Sequence, residues 1–399
     1  MSIDENFQRW SKKVMSKIIE NFGSNIDEVR YEITERTDIY MSSMYNTCVK
    51  FKNRMTSQNE ERSMILKRPM QAEDWRRMSG SDVQFHNEIL FYRTYARPEE
   101  NFPRCFYVDE KPPTDSVIAL ENVSKLGYYP YPYKYDVPLE YTLAAMREIG
   151  RFHGKGYVMK ELQKEKFFDI VKQLQDSRYG TNDDFKIFVN SQAMRAVEYL
   201  RRHDHDAVFC DKMEALLSNA FDEVMMKTIK PLEPLSTLCH GDFTLNNILF
   251  KMEDNGKQRA MLIDFALCRY STPVVDLSTY FCLCCFNEVT KDKFFDIMGV
   301  YYDALKEYLL EAGVWNVEKY SYDALLDDYK RGSLFGFLIV SFFLPKLMGF
   351  FTIDGPQMTN MGPLECYKLN KQLGGDKISK ILADILLHLR DLGFLKHYL

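Results

Sequence analysis

The sequence lacks an excess of basic charge. Its 52 Lys and Arg residues are outnumbered by 57 Asp and Glu residues, which gives a formal net charge of −5 at pH 7. Nucleic-acid backbones and anionic membrane surfaces attract proteins through clusters of Lys and Arg. The composition therefore argues against nucleic acid and anionic membranes as partners.

Long apolar runs and chain-breaking residues are also scarce. The longest apolar run, Leu334–Leu344, is much shorter than the roughly 20 residues that a membrane span needs, so we predict a buried helix there. With 19 Gly and 14 Pro among 399 residues, the composition is not that of a disordered or collagen-like chain. The start of the sequence, residues 1–6, is polar and acidic rather than basic and then apolar. It does not resemble a secretory signal, which predicts a cytoplasmic location.

A disulfide framework is not expected. The nine cysteines are an odd number, and three of them crowd together as Cys282, Cys284 and Cys285. A zinc site would need a second ligand pair at matching spacing, and no Cys or His pair stands nearby. We expect these three residues to be buried thiols on a helix.

The length and the order of patterns predict two lobes. The first residues form an amphipathic pattern that is followed by Gly23, a typical helix stop. Its apolar residues are Phe7, Trp10, Val14, Ile18 and Phe22. We expect this face to pack on the protein's own core rather than on a membrane surface.

Short β-favouring segments dominate from residue 31 to about residue 120. Segments 45–50 and 63–67 flank a polar turn and predict a hairpin. Residues 82–94 predict a helix that Asp82 could cap, and the apolar run 117–120 predicts the last strand of a small sheet. We place the lobe boundary after residue 122.

Helical periods dominate beyond residue 123, with one compact β signal. Two apolar runs, 247–252 and 260–263, are joined through Asn255-Gly256, and an Asn-Gly turn between such runs is a strong indicator of a hairpin. The predicted architecture is therefore a small lobe with a sheet, residues 1–122, followed by a larger, mostly helical lobe, residues 123–399.

The ends of this hairpin carry the residues with the clearest chemical potential. Asp242 and Asn247 precede or open the first strand, and Asp264 follows the second. Because the two ends of a hairpin lie close together, we expect these three side chains to converge. Two carboxylates and an amide oxygen are ligands that Mg²⁺ prefers when phosphates complete its coordination. This set predicts phosphoryl transfer.

These residues resemble a known family of kinases. The segment HGDFTLNN, which starts at His240, fits the HGDxxxxN pattern of choline kinases and aminoglycoside phosphotransferases, and LIDFALCRY resembles their metal-binding segment. In particular, residues 30–350 resemble the insect ecdysteroid kinase-like family, also called the CHK kinase-like domain. Further segments appear in that family's order: ILKRP, FHNEILFY, ALENV and IGRFHG.

The resemblance implies an α+β fold of the bilobal, protein-kinase-like type, with an antiparallel sheet in the small N-terminal lobe. It also implies roles for single residues. Asp242 would orient the substrate hydroxyl or accept its proton. Asn247 would hold a Mg²⁺ ion, with Asn246 as the alternative if the register slips by one, and Asp264 would bridge the metal and the phosphates.

Two upstream residues complete the implied catalytic set. Lys67 would contact the α- and β-phosphates of ATP and pair with Glu88 from the following helix, with Arg68 as the neighbouring alternative. Further along the chain, His240 is expected to brace the catalytic loop rather than transfer protons, and Asp276 to tie that loop down.

The phosphate-covering loop departs from the family pattern. The family commonly keeps a Gly a few residues before Tyr-x-Ser, whereas residues 36–43 read RTDIYMSS. Without that Gly, close approach of the backbone to phosphate is harder. Ser42 or Ser43 would supply a hydroxyl and an amide instead, and the nucleotide would bind near Glu121 and Val123.

The sequence therefore predicts an enzyme, an ATP- and Mg²⁺-dependent kinase that phosphorylates a hydroxyl on a small molecule. The resemblance implies ecdysteroids or other lipophilic alcohols as acceptors, in steroid storage or detoxification. A catalytically silent binding protein with the same fold is the alternative, and the missing Gly favours it. A hydrolase that uses His240 and Asp242 lacks a plausible nucleophile near either residue. The oligomeric state stays open.

Overall fold

The computed structural model describes residues 3–36, 42–133, 137–176, 183–285, 290–350 and 363–399. The chain divides into two compact units. The first comprises Met1–Tyr128, Gln173–Arg178 and Ile263–Leu267, and the second comprises Tyr129–Lys172, Tyr179–Leu262 and Cys268–Leu399. Two short segments from later in the chain thus belong to the N-terminal unit, in addition to the continuous stretch that the sequence indicates.

The first unit is built on a five-stranded antiparallel sheet with the order β1-β2-β3-β5-β4. Its strands are β1 (Ile26–Glu35), β2 (Ser42–Asn53), β3 (Asn59–Pro69), β4 (Cys105–Asp109) and β5 (Val117–Glu121). The predicted hairpin is confirmed, because β2 and β3 pair in continuous register from Ser42 opposite Pro69 to Lys52 opposite Asn59.

Three helices accompany this sheet. They are α1 (Ile3–Glu20), α2 (Glu73–Ser79) and α3 (Ser81–Leu90), and α3 continues into a single wide turn at Phe91–Tyr95. The predicted amphipathic helix is confirmed: Trp10, Val14 and Ile18 are buried in one cluster with the sheet residues Val49 and Leu66. Burial of this apolar face is the main driving force that holds α1 on the sheet.

The second unit is mostly helical. Its longer helices are α4 (Leu139–Leu162), α5 (Lys164–Gln173), α6 (Asp183–Arg202), α7 (Ala207–Leu217), α9 (Val274–Cys284), α10 (Phe294–Glu311), α11 (Tyr322–Leu347), α12 (Pro363–Gln372) and α13 (Gly375–Asp391), and α8 (Met226–Thr228) is a single turn. Helices α4 and α10 pack closely at Gly150, where an added Cβ would lie 2.6 Å from the carbonyl oxygen of Tyr301. Only glycine fits at this crossing.

Short strands in the second unit position the candidate catalytic residues. They are β6 (Tyr129–Pro130), β7 (Thr237–Cys239), β8 (Ile248–Met252), β9 (Gln258–Leu262) and β10 (Arg269–Ser271). The predicted second hairpin is confirmed, since β8 and β9 pair from Ile248 opposite Leu262 to Met252 opposite Gln258. β7 pairs with β10, which brings the chain before His240 beside the chain after Asp264.

Two further expectations are confirmed. The apolar run 334–344 lies in α11 and is largely buried, and across the described residues no helix is both long and apolar enough to cross a membrane. Cys282, Cys284 and Cys285 are buried free thiols at the end of α9. The fold class is therefore as predicted: α+β, with an antiparallel sheet in the N-terminal unit and a larger helical unit after it.

Candidate active site

Lys67 is the centre of a buried charge cluster in the first unit. It lies near the end of β3, and its Nζ atom donates hydrogen bonds of 2.7 and 2.8 Å to the two carboxylate oxygens of Glu88 on α3. The neighbouring Arg68 is on the opposite face of the strand, since successive strand residues alternate, and its guanidinium lies 4.5 Å from the ring centre of Trp10 on α1. Lys67, and not Arg68, is therefore the partner of Glu88.

Burial shapes the protonation of this pair. Burial raises the pKa of Glu88 to about 7, against the opposing effect of Lys67. For Lys67, burial alone would lower the pKa, but the carboxylates of Asp264 and Glu88 outweigh it and raise the pKa. The lysine therefore stays charged at neutral pH. A buried, charged ammonium is suited to binding phosphate oxygens.

Asp264 is the third member of this cluster. Its Oδ1 atom lies 3.5 Å from Lys67 Nζ, and 44% of its side chain is exposed. Its backbone has a positive φ of 66°, a left-handed conformation that is uncommon for residues other than Gly, Asn and Asp. Such conformations persist only where surrounding contacts hold them, and they recur at functional sites.

The residues after Asp264 supply those contacts. The Phe265 ring stacks on Phe91, with ring centres 3.7 Å apart and planes inclined by 10°, and Phe102 meets Phe265 edge-on. The carbonyl oxygen of Ala266 accepts a 3.2 Å hydrogen bond from Asn87 Nδ2. Side chains of α3 and the turn after it therefore hold the two residues that follow Asp264.

Asp242 and Asn247 lie together in the second unit. Asn247 Nδ2 donates 2.9 Å hydrogen bonds to the backbone oxygen and to carboxylate Oδ2 of Asp242. Asn247 is buried, whereas Asn246 is exposed, which favours Asn247 over the alternative register. Because the amide nitrogen makes both of these bonds, the side-chain oxygen is the atom suited to a metal.

Hydrogen bonds to Asp276 hold the turn before Asp242 in place. Asp276, on α9, accepts backbone hydrogen bonds from His240 (2.7 Å) and Gly241 (2.8 Å). Asp276 also lies 2.9 Å from His153 Nε2, and His153 Nδ1 lies 3.0 Å from the Tyr301 hydroxyl. Burial would raise the pKa of Asp276. The hydrogen bond and charge of His153, together with His240 and the backbone of Gly241, outweigh burial, so the pKa is lowered. The prediction that Asp276 ties down this loop is confirmed.

Cys239 lies close to His153 and Asp276, and the three offer ligand atoms within 4.8 Å of one another. This cluster is structural. Burial raises the pKa of the Cys239 thiol well above its ordinary range, and the thiol lies 3.3 Å from the carbonyl oxygens of Ser271 and Thr272, which it meets as a donor. The side chains of all three residues are hydrogen-bonded to other protein groups, which gives the cluster a structural role.

The remaining predicted contacts lie at the sheet. Ser42 and Ser43 open β2, opposite Pro69 and Arg68, and Ser43 Oγ lies 3.7 Å from Met70 Sδ. The loop residues 37–41 lie outside the described residues. Glu121 ends β5, and buried Val123 begins a short turn that Asn122 caps.

The structure thus gathers the predicted residues into two sets. Lys67, Glu88 and Asp264 are in contact in the first unit, and Asp242 and Asn247 are in contact in the second. The convergence of Asp242, Asn247 and Asp264 stays a prediction. The sequence does not predict the hydrogen bonds of Asn87 with Gln175 and Ala266, although Asn87 lies inside the segment FHNEILFY.

A strand lysine paired with a helix glutamate, in a sheet-based unit that is followed by a helical one, is an arrangement that protein kinases share. The model of the ecdysteroid kinase-like family matches residues 36–314, which is more than half of the chain. The chain belongs to this family, and membership supports a small-molecule kinase.

Comparison with curated protein sequences finds no match. Among solved structures, the chain is similar to a variant of aminoglycoside 2′-phosphotransferase IIIa in complex with GDP. Identity is 13% and the TM-score 0.41, over 91% of this chain and 97% of that one. It is also similar to APH(2″)-IIIa in complex with GDP and kanamycin, with 12% identity and a TM-score of 0.38, over 90% of this chain and 98% of that one.

Proposed function

We propose that the protein is an ATP- and Mg²⁺-dependent kinase that transfers the γ-phosphate to a hydroxyl of an ecdysteroid or a similar lipophilic alcohol. The observation that carries the proposal is the surroundings of Lys67, whose Nζ atom contacts Glu88 at 2.7 Å and Asp264 at 3.5 Å. A buried lysine in contact with two acids is weak evidence for a role in stability, because the cost of removing charges from water offsets the attraction between them.

The side chains fit the nucleotide and its metal. Lys67 would bind the α- and β-phosphates, and Glu88 would hold its ammonium in place. Asn247 and Asp264 would hold Mg²⁺ through an amide oxygen and a carboxylate, which are the hard ligands this ion prefers. Bound Mg²⁺ would neutralise phosphate charge as the γ-phosphate is transferred.

Asp242 would position the attacking hydroxyl. Its carboxylate oxygen Oδ2 accepts a 2.9 Å hydrogen bond from Asn247 Nδ2, which orients the carboxylate, and the carboxylate would accept a hydrogen bond from the hydroxyl of the acceptor. As the hydroxyl oxygen attacks the γ-phosphorus, its proton would move to this carboxylate, and the bond from phosphorus to the ADP oxygen would break. The products would be ADP and a phosphate monoester.

The nucleotide contacts are assigned by position. Glu121 is the last residue of β5 and Val123 lies two residues after it, and both would contact the base through the backbone. Ser42 and Ser43 would contact phosphate in place of the glycine that residues 36–43 lack. The acceptor class rests on the family resemblance, and we propose that the reaction serves steroid storage or detoxification in the cytoplasm.

The deciding experiment measures phosphate gain by mass spectrometry. The purified protein is incubated with ATP, Mg²⁺ and a panel of ecdysteroids, sterols and plant phenolics. We expect at least one acceptor to gain one phosphate group, and we expect Asp242→Asn and Asp264→Asn to abolish the gain. Asp254→Asn, an exposed acid in the β8–β9 turn, is the matched control and should keep full activity.

A second candidate is a catalytically silent binding protein with this fold. The absence of glycine from residues 36–43 favours it. Thermal-shift measurements with ATP separate the two candidates: an enzyme should be stabilised more by ATP with Mg²⁺ than by ATP alone, and Asp264→Asn should remove that difference. Stabilisation by an acceptor but not by Mg²⁺ and ATP would favour the silent protein.

A further inference from the structure

We propose that Asn87 is a positioning residue that holds the Asp264 segment in register with Glu88, so that the magnesium ligand and the phosphate-binding lysine stay aligned. This inference deepens the proposed function and rests on it. Asn87 immediately precedes Glu88 in α3, and only 1% of its surface is exposed.

Three hydrogen bonds satisfy the buried Asn87 amide. Its Oδ1 accepts a 3.0 Å hydrogen bond from the backbone N–H of Gln175, and its Nδ2 donates to the carbonyl oxygens of Gln175 (2.8 Å) and Ala266 (3.2 Å). These partners lie 88 and 179 positions further along the chain. One side chain therefore joins three separate segments, and its orientation is fixed by bonds at both ends of the amide.

The three consecutive residues 264–266 are each held by a different residue of the first unit. Asp264 faces Lys67, Phe265 stacks on Phe91, and the carbonyl of Ala266 binds Asn87. Of these contacts, only the one with Asn87 fixes the backbone directly. Because Asp264 has a left-handed φ of 66°, its carboxylate direction depends on how firmly the next two residues are held.

Asn87 and Glu88 point to different partners from adjacent positions on one helix. Successive helix residues are about 100° apart around the axis, so Glu88 reaches Lys67 while Asn87 reaches Ala266. A shift of α3 would therefore move both contacts together. Asn87 couples the position of Glu88 to that of Asp264.

His86 provides a matched control on the same helix. Its Nε2 lies 2.9 Å from the carbonyl oxygen of Gln173, and its Nδ1 lies 2.8 Å from Glu110. It thus anchors the same 173–176 segment as Asn87. Neither of these partners belongs to residues 264–266, so His86 separates loss of that anchor from loss of Asp264 positioning.

The test measures the dissociation constant of ATP by calorimetry, with Mg²⁺ and with EDTA, for the full chain and its variants. We expect Asn87→Ala to weaken binding of ATP with Mg²⁺ about tenfold, the equivalent of about 1.4 kcal/mol, and to leave binding in EDTA within about twofold of wild type. His86→Ala should change neither value more than about twofold. If Asn87→Ala does not fold, Asn87→Ser is measured at low temperature.

Three outcomes overturn the inference, and they differ in what else they affect. Unchanged Mg²⁺ dependence in Asn87→Ala, or an equal loss in His86→Ala, would refute the positioning role alone, provided that Asp264→Asn still abolishes Mg²⁺-dependent binding. Absence of Mg²⁺-dependent binding in the wild-type protein would refute both the positioning role and the proposed function.

Discussion

Phe91 and Phe265 stack with ring centres 3.7 Å apart and planes inclined by only 10°. Both rings are almost fully buried, and Phe265 directly follows Asp264. The stack joins the turn after α3 to the segment that carries a candidate magnesium ligand. Packing in the core of the first unit and geometry of the candidate site are therefore linked through adjacent residues.

Phe265→Ala should destabilise the protein by about 3–5 kcal/mol, because removing a buried aromatic ring loses its transfer free energy and leaves a cavity. The free energy of unfolding in urea, followed by circular dichroism, measures the loss. Phe295→Ala is the control, since Phe295 is half exposed and its loss should change stability by less than about 0.5 kcal/mol. If Phe265→Ala lowers the free energy of unfolding by less than about 1 kcal/mol, the stack contributes little to stability.

Glu88→Gln should change how stability depends on pH. Burial raises the folded-state pKa of Glu88 from 4.5 to about 7, so the folded protein retains a proton that the unfolded chain releases near pH 4.5. This contribution is fully present below pH 4.5, and it is lost as the pH rises to about 7. At about 1.4 kcal/mol per pKa unit, the stability of wild type relative to Glu88→Gln should fall by up to about 3 kcal/mol across this interval.

The measurement is urea unfolding at half-unit pH steps from 4.5 to 8. Glu99→Gln, which removes an exposed carboxylate, should run parallel to wild type throughout. A difference between wild type and Glu88→Gln that does not vary with pH would mean that Glu88 is ionised over the whole interval, held so by Lys67.

Much of the first unit could be predicted from sequence because its signals are local. The period of apolar residues in α1 predicts a helix with one buried face, and Trp10 and Ile18 are indeed buried on the sheet. The Lys67 and Glu88 pair followed from the motif resemblance, and its 2.7 Å contact is observed. Patterns within one element, or motifs of fixed spacing, carry this kind of information.

Contacts between distant segments could not be predicted in the same way. Nothing in the polarity of residues 173–176 indicates that Asn87 binds their backbone, because backbone partners leave no side-chain pattern. Phe91 lies in an aromatic run with Tyr92 and Tyr95, and periodicity alone does not say which ring stacks on Phe265. The His153 contact with Asp276 spans 123 positions, and only the fold reveals it.

Asp276→Asn should destabilise the protein by about 3–5 kcal/mol, because it leaves His153 without its buried acidic partner and places an amide against two backbone N–H donors. Tyr301→Phe removes only the hydroxyl on the other side of His153 and should cost about 1 kcal/mol. Unfolding in urea at pH 7 compares the two variants. Equal losses would show that Asp276 contributes no more than an ordinary hydrogen bond to the His240–Gly241 turn.

The contact between Trp10 and Arg68 joins α1 to strand β3 of the sheet. The Arg68 guanidinium lies 4.5 Å from the ring centre of Trp10, and Arg68 is adjacent to Lys67. Trp10→Ala should cost about 3–5 kcal/mol through the cavity it leaves. Trp10→Phe should cost distinctly less, because it keeps an aromatic face for Arg68 and removes an indole N–H that is buried without a hydrogen-bond partner among the described residues.

Urea unfolding ranks these variants, with Lys13→Ala as the control on the exposed face of the same helix. The control should stay within about 0.5 kcal/mol of wild type. If Trp10→Phe loses as much stability as Trp10→Ala, the aromatic face contributes nothing to Arg68 and the bulk of the indole alone holds α1 on the sheet. If neither variant loses stability, α1 is not bound through this residue, and the support of β3 beside Lys67 must come from the strand pairing.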